Sequence, residues 1–241
     1  MNSAVHSITR IIFLSLLAIS ISITSCKKDE EEVNINEEDA VRMISSGLSD
    51  NSDALEEQAE SSAQLDGQPA VAYDSLCDNL LAYNRSFSLT RNGRTFDYNA
   101  NGTRDGICIN DSLIAFRYVS TFTTRYTGTN YSSNGTGSRN GRLDEIRSDS
   151  TFYLWTGNTE KNSNGTLETR NETYQINSIL KYNSTLKIDK TIRRITSGTT
   201  TYSITGGGDK IRDFSYSGTI TYLGNRKAEV TVNGQVFTVF Y

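Results

Sequence analysis

The chain has 241 residues, a formal net charge of −4, a hydrophobic content of 36% and one histidine, His6. No histidine follows His6, which excludes a Ser-His-Asp triad, a Cys-His nucleophile and any His-ligated metal in the body of the chain. No Lys/Arg run with interleaved aromatics occurs, which speaks against a nucleic-acid partner.

The first element is an apolar run from Ile11 to Cys26 behind a single basic residue, Arg10. It is too short and too rich in Ser for a transmembrane helix, which needs about 20 apolar residues. A basic start, a short apolar middle and a small residue before the cut fit a secretory signal. The ending Ile23-Thr24-Ser25-Cys26 resembles a bacterial lipobox, with Cys26 as the acylated first residue of the mature chain. That resemblance implies attachment through lipid on Cys26 (palmitate among its acyl chains), at about 0.8 kcal/mol per buried methylene. Lys27-Lys28-Asp29-Glu30-Glu31-Glu32 follows at once. It resembles the acidic cluster that routes Bacteroidota lipoproteins to the outer face of the outer membrane. The expected location is therefore the outer membrane, on its extracellular face, with the periplasmic face as the alternative. Removing the 25 residues before Cys26 leaves 216, enough for one sizeable domain.

Residues 26–36 read as a charged tether with few apolar groups. Residues 37–68 read as an acidic helical segment. Asn36 caps a first helix, with Glu37, Glu38 and Asp39 at its positive end. Val41, Ile44 and Leu48 share one face. Gly47 weakens the last turn, and Ser52 or Asp53 starts a second short helix. Isolated helices this short are marginal in water, so both are expected to pack on something larger. Charge gives a reason to dock. Residues 26–68 hold 13 acidic and 3 basic residues, net −10, and residues 69–241 hold 15 and 20, net +5.

From residue 69 the hydrophobic period changes to two, and six Asn-Gly pairs punctuate the chain at Asn92, Asn101, Asn134, Asn140, Asn164 and Asn233. Asn-Gly between alternating runs is a strong hairpin signal, because both residues tolerate positive φ. A turn at Asn92-Gly93 pairs Leu89 with Phe96 and Phe87 with Tyr98. A turn at Asn233-Gly234 pairs Val230 with Phe237 and Ala228 with Val239. Near Gly224 a two-residue loop would put Ile220 and Tyr222 on the wrong face. A three-residue loop, Gly224-Asn225-Arg226, sets Tyr222 opposite Ala228 and Ile220 opposite Val230. Long strands are expected at 113–126, 150–157, 167–190 (bent near Asn177 to Leu180) and 192–205. A wide loop is expected at 128–145, and another at Gly206-Gly207-Gly208. The fold class is α+β and β-dominated: a long, twisted antiparallel meander, as a curled sheet or open barrel or sandwich, with short N-terminal helices packed on it. Cys77 and Cys108 remain once Cys26 carries lipid. In an oxidising compartment they read as a disulfide closing a loop of about 30 residues, stabilising by roughly 3–4 kcal/mol. Two free thiols are the alternative.

Phe214-Ser215-Tyr216-Ser217-Gly218-Thr219-Ile220-Thr221-Tyr222-Leu223-Gly224-Asn225, then Ala228-Glu229-Val230-Thr231-Val232-Asn233-Gly234, is similar to the closing segment of a group of uncharacterised Bacteroidota lipoproteins. The resemblance brings no activity with it.

Candidate chemistry is sparse. Asp97, Asn99, Asn101 and Asp105 resemble part of a calcium loop, but Cys108 stands where its closing Glu belongs. The bland reading is a polar turn. Asp74-Ser75, Asp111-Ser112 and Asp149-Ser150 resemble the Bacteroidota O-glycosylation motif, which makes Ser75, Ser112 and Ser150 candidate glycosylation sites. Asp-Ser is also ordinary turn chemistry. Paired carboxylates for glycoside hydrolysis would come from Asp144 with Glu145, or Asp209 with Asp213. Tyr118, Tyr126, Tyr153, Trp155, Tyr174 and Tyr182 are candidates for an aromatic platform, although aromatics favour half-buried strands in any case. No cofactor and no metal are implied. The expected function is a non-enzymatic, membrane-anchored envelope protein with a binding or structural role toward an unidentified glycan, protein or lipid. The alternatives are a carrier holding an acyl chain in a curled sheet, and a carbohydrate-active enzyme.

Overall fold

A computed structural model describes residues 32–66, 76–77, 79–91, 93–169 and 172–241. Cys26 and Ser75 lie outside the described residues. The Asn36 side chain accepts a hydrogen bond from the Asp39 N–H at 3.0 Å and so caps the helix that follows. That helix, α1 (Glu37–Asp66), is continuous over 30 residues. The expected division into two short helices does not occur. Gly47 does not end a helix; it faces Leu180 and Tyr182, and a Cβ there would lie 2.7 Å from the Tyr182 hydroxyl oxygen. Its missing side chain lets α1 approach the sheet closely enough for the Tyr182 hydroxyl to donate to the Ile44 carbonyl at 2.9 Å.

Ten strands follow: β1 (Leu80–Arg91), β2 (Arg94–Ile109), β3 (Ser112–Gly128), β4 (Tyr131–Asp144), β5 (Phe152–Glu168), β6 (Thr173–Asp189), β7 (Ile195–Gly208), β8 (Ile211–Gly224), β9 (Lys227–Val232) and β10 (Gln235–Phe240). They form one antiparallel sheet in which every strand pairs with its neighbours in sequence, and β1 does not pair with β10. Burial alternates along most strands, as a half-buried sheet requires. The sheet curls round α1, which approaches β2, β4, β5, β6, β7, β9 and β10. Ala40, Ile44, Leu48, Leu55 and Ala59 are fully buried, and so are Leu113, Leu143, Tyr153, Leu186, Ile204, Ile220 and Val230 on the strands. A helix buried on all sides is normally apolar all round. This one carries buried Asn51, Asp53, Glu56 and Ser62, and the sheet supplies partners for them. Among the described residues no helix is long and apolar enough to cross a membrane.

Two expected hairpins have the expected register. Leu89 pairs with Phe96 and Phe87 with Tyr98. Val230 pairs with Phe237 and Ala228 with Val239. Tyr222 also stands opposite Ala228, and Ile220 opposite Val230, but by a different device. Gly224 pairs with Lys227 across a tight Asn225-Arg226 turn, both residues at positive φ, and a bulge between Tyr222 and Gly224 absorbs the extra residue. The other four Asn-Gly pairs are not turns. They lie inside β2, β4 and β5. The expected loop at 128–145 is instead mostly β4, and Gly206-Gly207-Gly208 belongs to β7, where a register shift takes up the irregularity. The chain reverses between Glu168 and Thr173, while residues Asn177 to Leu180 run straight through β6.

Cys77 and Cys108 form a disulfide with Cα atoms 5.6 Å apart and a sequence separation of 31. It ties the segment before β1 to the end of β2, where Cys77 also makes a parallel bridge to Gly106. Removing it as Cys77→Ser/Cys108→Ser is expected to cost about 3–4 kcal/mol. Urea unfolding with and without reductant checks this: reductant should lower the wild-type midpoint and leave the double variant where it is.

Candidate functional site

Two regions concentrate polar chemistry. The first is internal. Arg226, held in the β8–β9 turn, donates to Asp53 Oδ1 at 2.6 Å and to Glu56 Oε2 at 2.8 Å. Arg194 donates to the same Glu56 oxygen at 2.5 Å, and the Ile195 N–H donates to Glu56 Oε1 at 3.1 Å. Burial nevertheless pushes the Glu56 carboxyl up to about 7, against the pull of Arg226 and the Ile195 N–H. Higher along the interior, Arg139 is 1% exposed. It donates to Asn51 Oδ1 at 3.1 Å and lies 5.7 Å over the Phe122 ring. These contacts join the acidic helix to the basic sheet, as the charge division along the chain leads one to expect. Their role is to hold α1 in place.

The second region is the outer face of the sheet, turned away from α1. Three adjoining grooves of about 960, 520 and 600 Å³ cross it from β1 to β7. The first and second share Asn99, Thr123, Thr136 and Asn162, and the second and third share Ser138 and Glu160. Strand register explains the lining. Asn134 pairs with Asn164, which pairs with Asn177, so three amides stand in a row across β4, β5 and β6. Asn140, Asn158 and Asn183 make a second such row. Between the rows lie Asn162 on β5 and, three strands away, Asn99 and Asn101 on β2. All nine are exposed. Among the described residues, none of their side chains hydrogen-bonds within the chain.

This face is electrically balanced. Asp97 stands opposite Arg125, and Glu160 opposite Lys181 with their charged atoms 3.2 Å apart. The Ser88 hydroxyl donates to Asp97 at 2.6 Å. Exposed apolar groups on it include Val119 and Ile179, with Leu80 at the start of β1.

The residues singled out from the sequence fall elsewhere or into other roles. Asp97, Asn99, Asn101 and Asp105 do not form a loop. They stand along one face of β2, about 7 Å apart from Asp97 to Asn99 to Asn101 and about 13 Å on to Asp105, and cannot converge on one ion. Among the described residues no group of three or more His, Cys, Asp or Glu side chains is placed to hold a metal. The aromatic platform is not on the surface. Tyr118, Tyr126, Tyr153, Trp155 and Tyr182 are buried inward and Tyr174 is half-buried, because they occupy the positions that face α1. Asp144 is engaged by Arg142 at 2.7 Å, with Glu145 just beyond the strand end. Asp209 lies in the β7–β8 turn and Asp213 in β8. Ser112 is exposed at the start of β3, whereas the Ser150 hydroxyl donates to the Phe152 carbonyl at 3.1 Å.

The asparagine face was not singled out from sequence, although its signal is there: asparagine recurs at one parity in β2, β4, β5 and β6, in a context where strands ordinarily avoid it. No family model, no curated protein and no solved structure matches this chain.

Proposed function

We propose that the chain is a non-enzymatic lipoprotein of the bacterial envelope, anchored through Cys26, that acts by binding a ligand on the outer face of its curled sheet. The observation that carries this reading is the outer face itself, an open and unbonded array of polar side chains across adjacent strands. Thr, Val and Tyr would build the same sheet better than Asn, and a local departure from what the fold favours is a pointer to function. The carrier alternative needs an empty interior. Here α1 fills the space that the sheet encloses, which favours the binding reading. The enzyme alternative has less support still, since the two acids lining the grooves, Asp97 and Glu160, are already engaged by Ser88 and Lys181.

The anchor is tested by Cys26→Ala in the producing cell. The wild-type chain is expected in the membrane fraction, with a mass increment of acyl chains on its first mature residue. The variant is expected in the soluble fraction, with no such increment. A variant that stays on the membrane overturns lipid anchoring. Protease treatment of intact cells then reads the face: cleavage of the β domain while a periplasmic control survives places it outside.

A further inference from the structure

We propose that the asparagine face of β2–β6 is a binding site for an uncharged polysaccharide chain lying across the strands. The proposal rests on the reading that this face binds a ligand, and it names the ligand's class. Three observations carry it.

The first is the chemistry of the face. A primary amide offers two donors and an acceptor, and can bridge neighbouring hydroxyl groups as both donor and acceptor. The Asn134–Asn164–Asn177 row and the Asn140–Asn158–Asn183 row present six such groups, with Thr and Ser hydroxyls between them. Among the described residues, all six lack a hydrogen-bond partner within the chain.

The second is spacing. Successive strands lie about 4.8 Å apart, so a row meets a ligand once per strand at that interval. This is close to the rise per sugar of an extended glycan. The two rows are three outward positions apart on β4, about 20 Å. A chain crossing the strands therefore finds a fresh amide or hydroxyl at each sugar.

The third is what the face lacks. Its charges are matched across strands, Asp97 with Arg125 and Glu160 with Lys181, so it offers no net field to a polyanion. Its backbone groups are bonded to strands on both sides, so a peptide cannot add itself as a strand, which requires a free edge. It offers no apolar pocket for a peptide's side chains. Ile179 stands beside Asn162, where its methyl groups can pack against the C–H face of a sugar ring.

The experiment is affinity electrophoresis of the full chain in mild detergent, in gels carrying dextran, laminarin, xylan or galactomannan, with heparin as a polyanion control. The wild-type chain is expected to be retarded by at least one neutral polymer and not by heparin. Asn134→Ala/Asn162→Ala/Asn164→Ala is expected to bind at least tenfold more weakly. Its melting temperature should be unchanged, because all three side chains are exposed and unbonded. A control variant, Asn84→Ala on the exposed face of β1, should bind as wild type. Retardation by heparin alone, by no polymer, or equally in the triple variant overturns the proposal. So does face-to-face self-association that the triple variant abolishes, since the occupant would then be a second copy. None of these outcomes depends on Cys26, so a failure here is distinct from a failure of lipid anchoring.

Discussion

Arg226→Met is expected to destabilise the domain by about 3–5 kcal/mol, because it leaves two buried carboxylates short of their shared cation. Asp53 and Glu56 are 7% and 6% exposed as side chains, and Arg226 reaches both, at 2.6 and 2.8 Å. Arg194 still serves Glu56, but Arg91 is 4.0 Å from Asp53, beyond hydrogen-bond reach, and does not replace the cation that joins the two carboxylates. Met keeps the length of the stem, and it meets the same positive φ that Arg226 already adopts, so the backbone contribution cancels. The effect should depend on pH. Glu56 titrates near 7 in the folded chain against 4.5 as a free side chain. The native state therefore holds more protons than the unfolded state between these values. Stability from this group is full below about pH 4.5 and is lost as pH rises through 7, by on the order of 3 kcal/mol. Removing Arg226 removes a contact that favours the charged form, so the deficit should be larger at pH 8 than at pH 5. Urea unfolding followed by Trp155 fluorescence at both values tests this. Arg226→Met/Glu56→Gln should be more stable than Arg226→Met at pH 8, since the amide needs no counter-charge. A loss below about 1 kcal/mol at both pH values, or no rescue, would sink the assignment of this network as the clamp on α1.

The network also shows which parts of the fold could be read from residues alone. Charge division indicated that the acidic segment docks on the basic β domain, and Asp53–Arg226 is that docking in atomic form. It could not indicate that the docking is internal. An acidic helix with few apolar residues reads as a surface element, and only the curl of a ten-stranded sheet gives it cations on several sides. Hairpin registers were legible where turn chemistry and alternating apolar residues agreed, at Asn92-Gly93 and Asn233-Gly234. They were not legible where Asn-Gly lies in the middle of a strand. Asparagine serves both turns and polar surfaces, and glycine serves both positive φ and close approach, so the dipeptide carries two meanings that period alone cannot separate. The candidate site is made from the asparagines of those misread pairs together with isolated ones, and strand register is what brings them side by side.

Asn140-Gly141 makes the point, and leads to the second large effect: Trp155→Ala is expected to cost about 3–5 kcal/mol. Gly141 stands opposite Gly157 on the neighbouring strand, and the Trp155 indole lies across the pair. A Cβ at Gly141 would come within 2.5 Å of the ring atom Cη2, and one at Gly157 within 2.8 Å of Cζ2. The indole is 1% exposed and packs 6.1 Å from the Tyr118 ring. The two glycines are thus the seat of the largest core side chain, a device by which an aromatic from one position covers bare backbone at another. Removing the ring opens a cavity over backbone that nothing else fills, and the glycines cannot collapse into it. Gly141→Val in the wild-type chain should also destabilise, by about 1–3 kcal/mol, because the ring cannot move aside in a packed core. In the Trp155→Ala background the clash with the ring is gone and only the Thr156 carbonyl oxygen, 2.8 Å from the new Cβ, stands in the way, so the same valine should cost much less. The expected result is therefore a smaller cost for one substitution in the second background than in the first, with a coupling of about 2 kcal/mol. Thermal unfolding by circular dichroism measures it without relying on the fluorophore that one variant removes. If Gly141→Val destabilises both backgrounds equally, the glycine is required by the backbone of β4 and not by the indole.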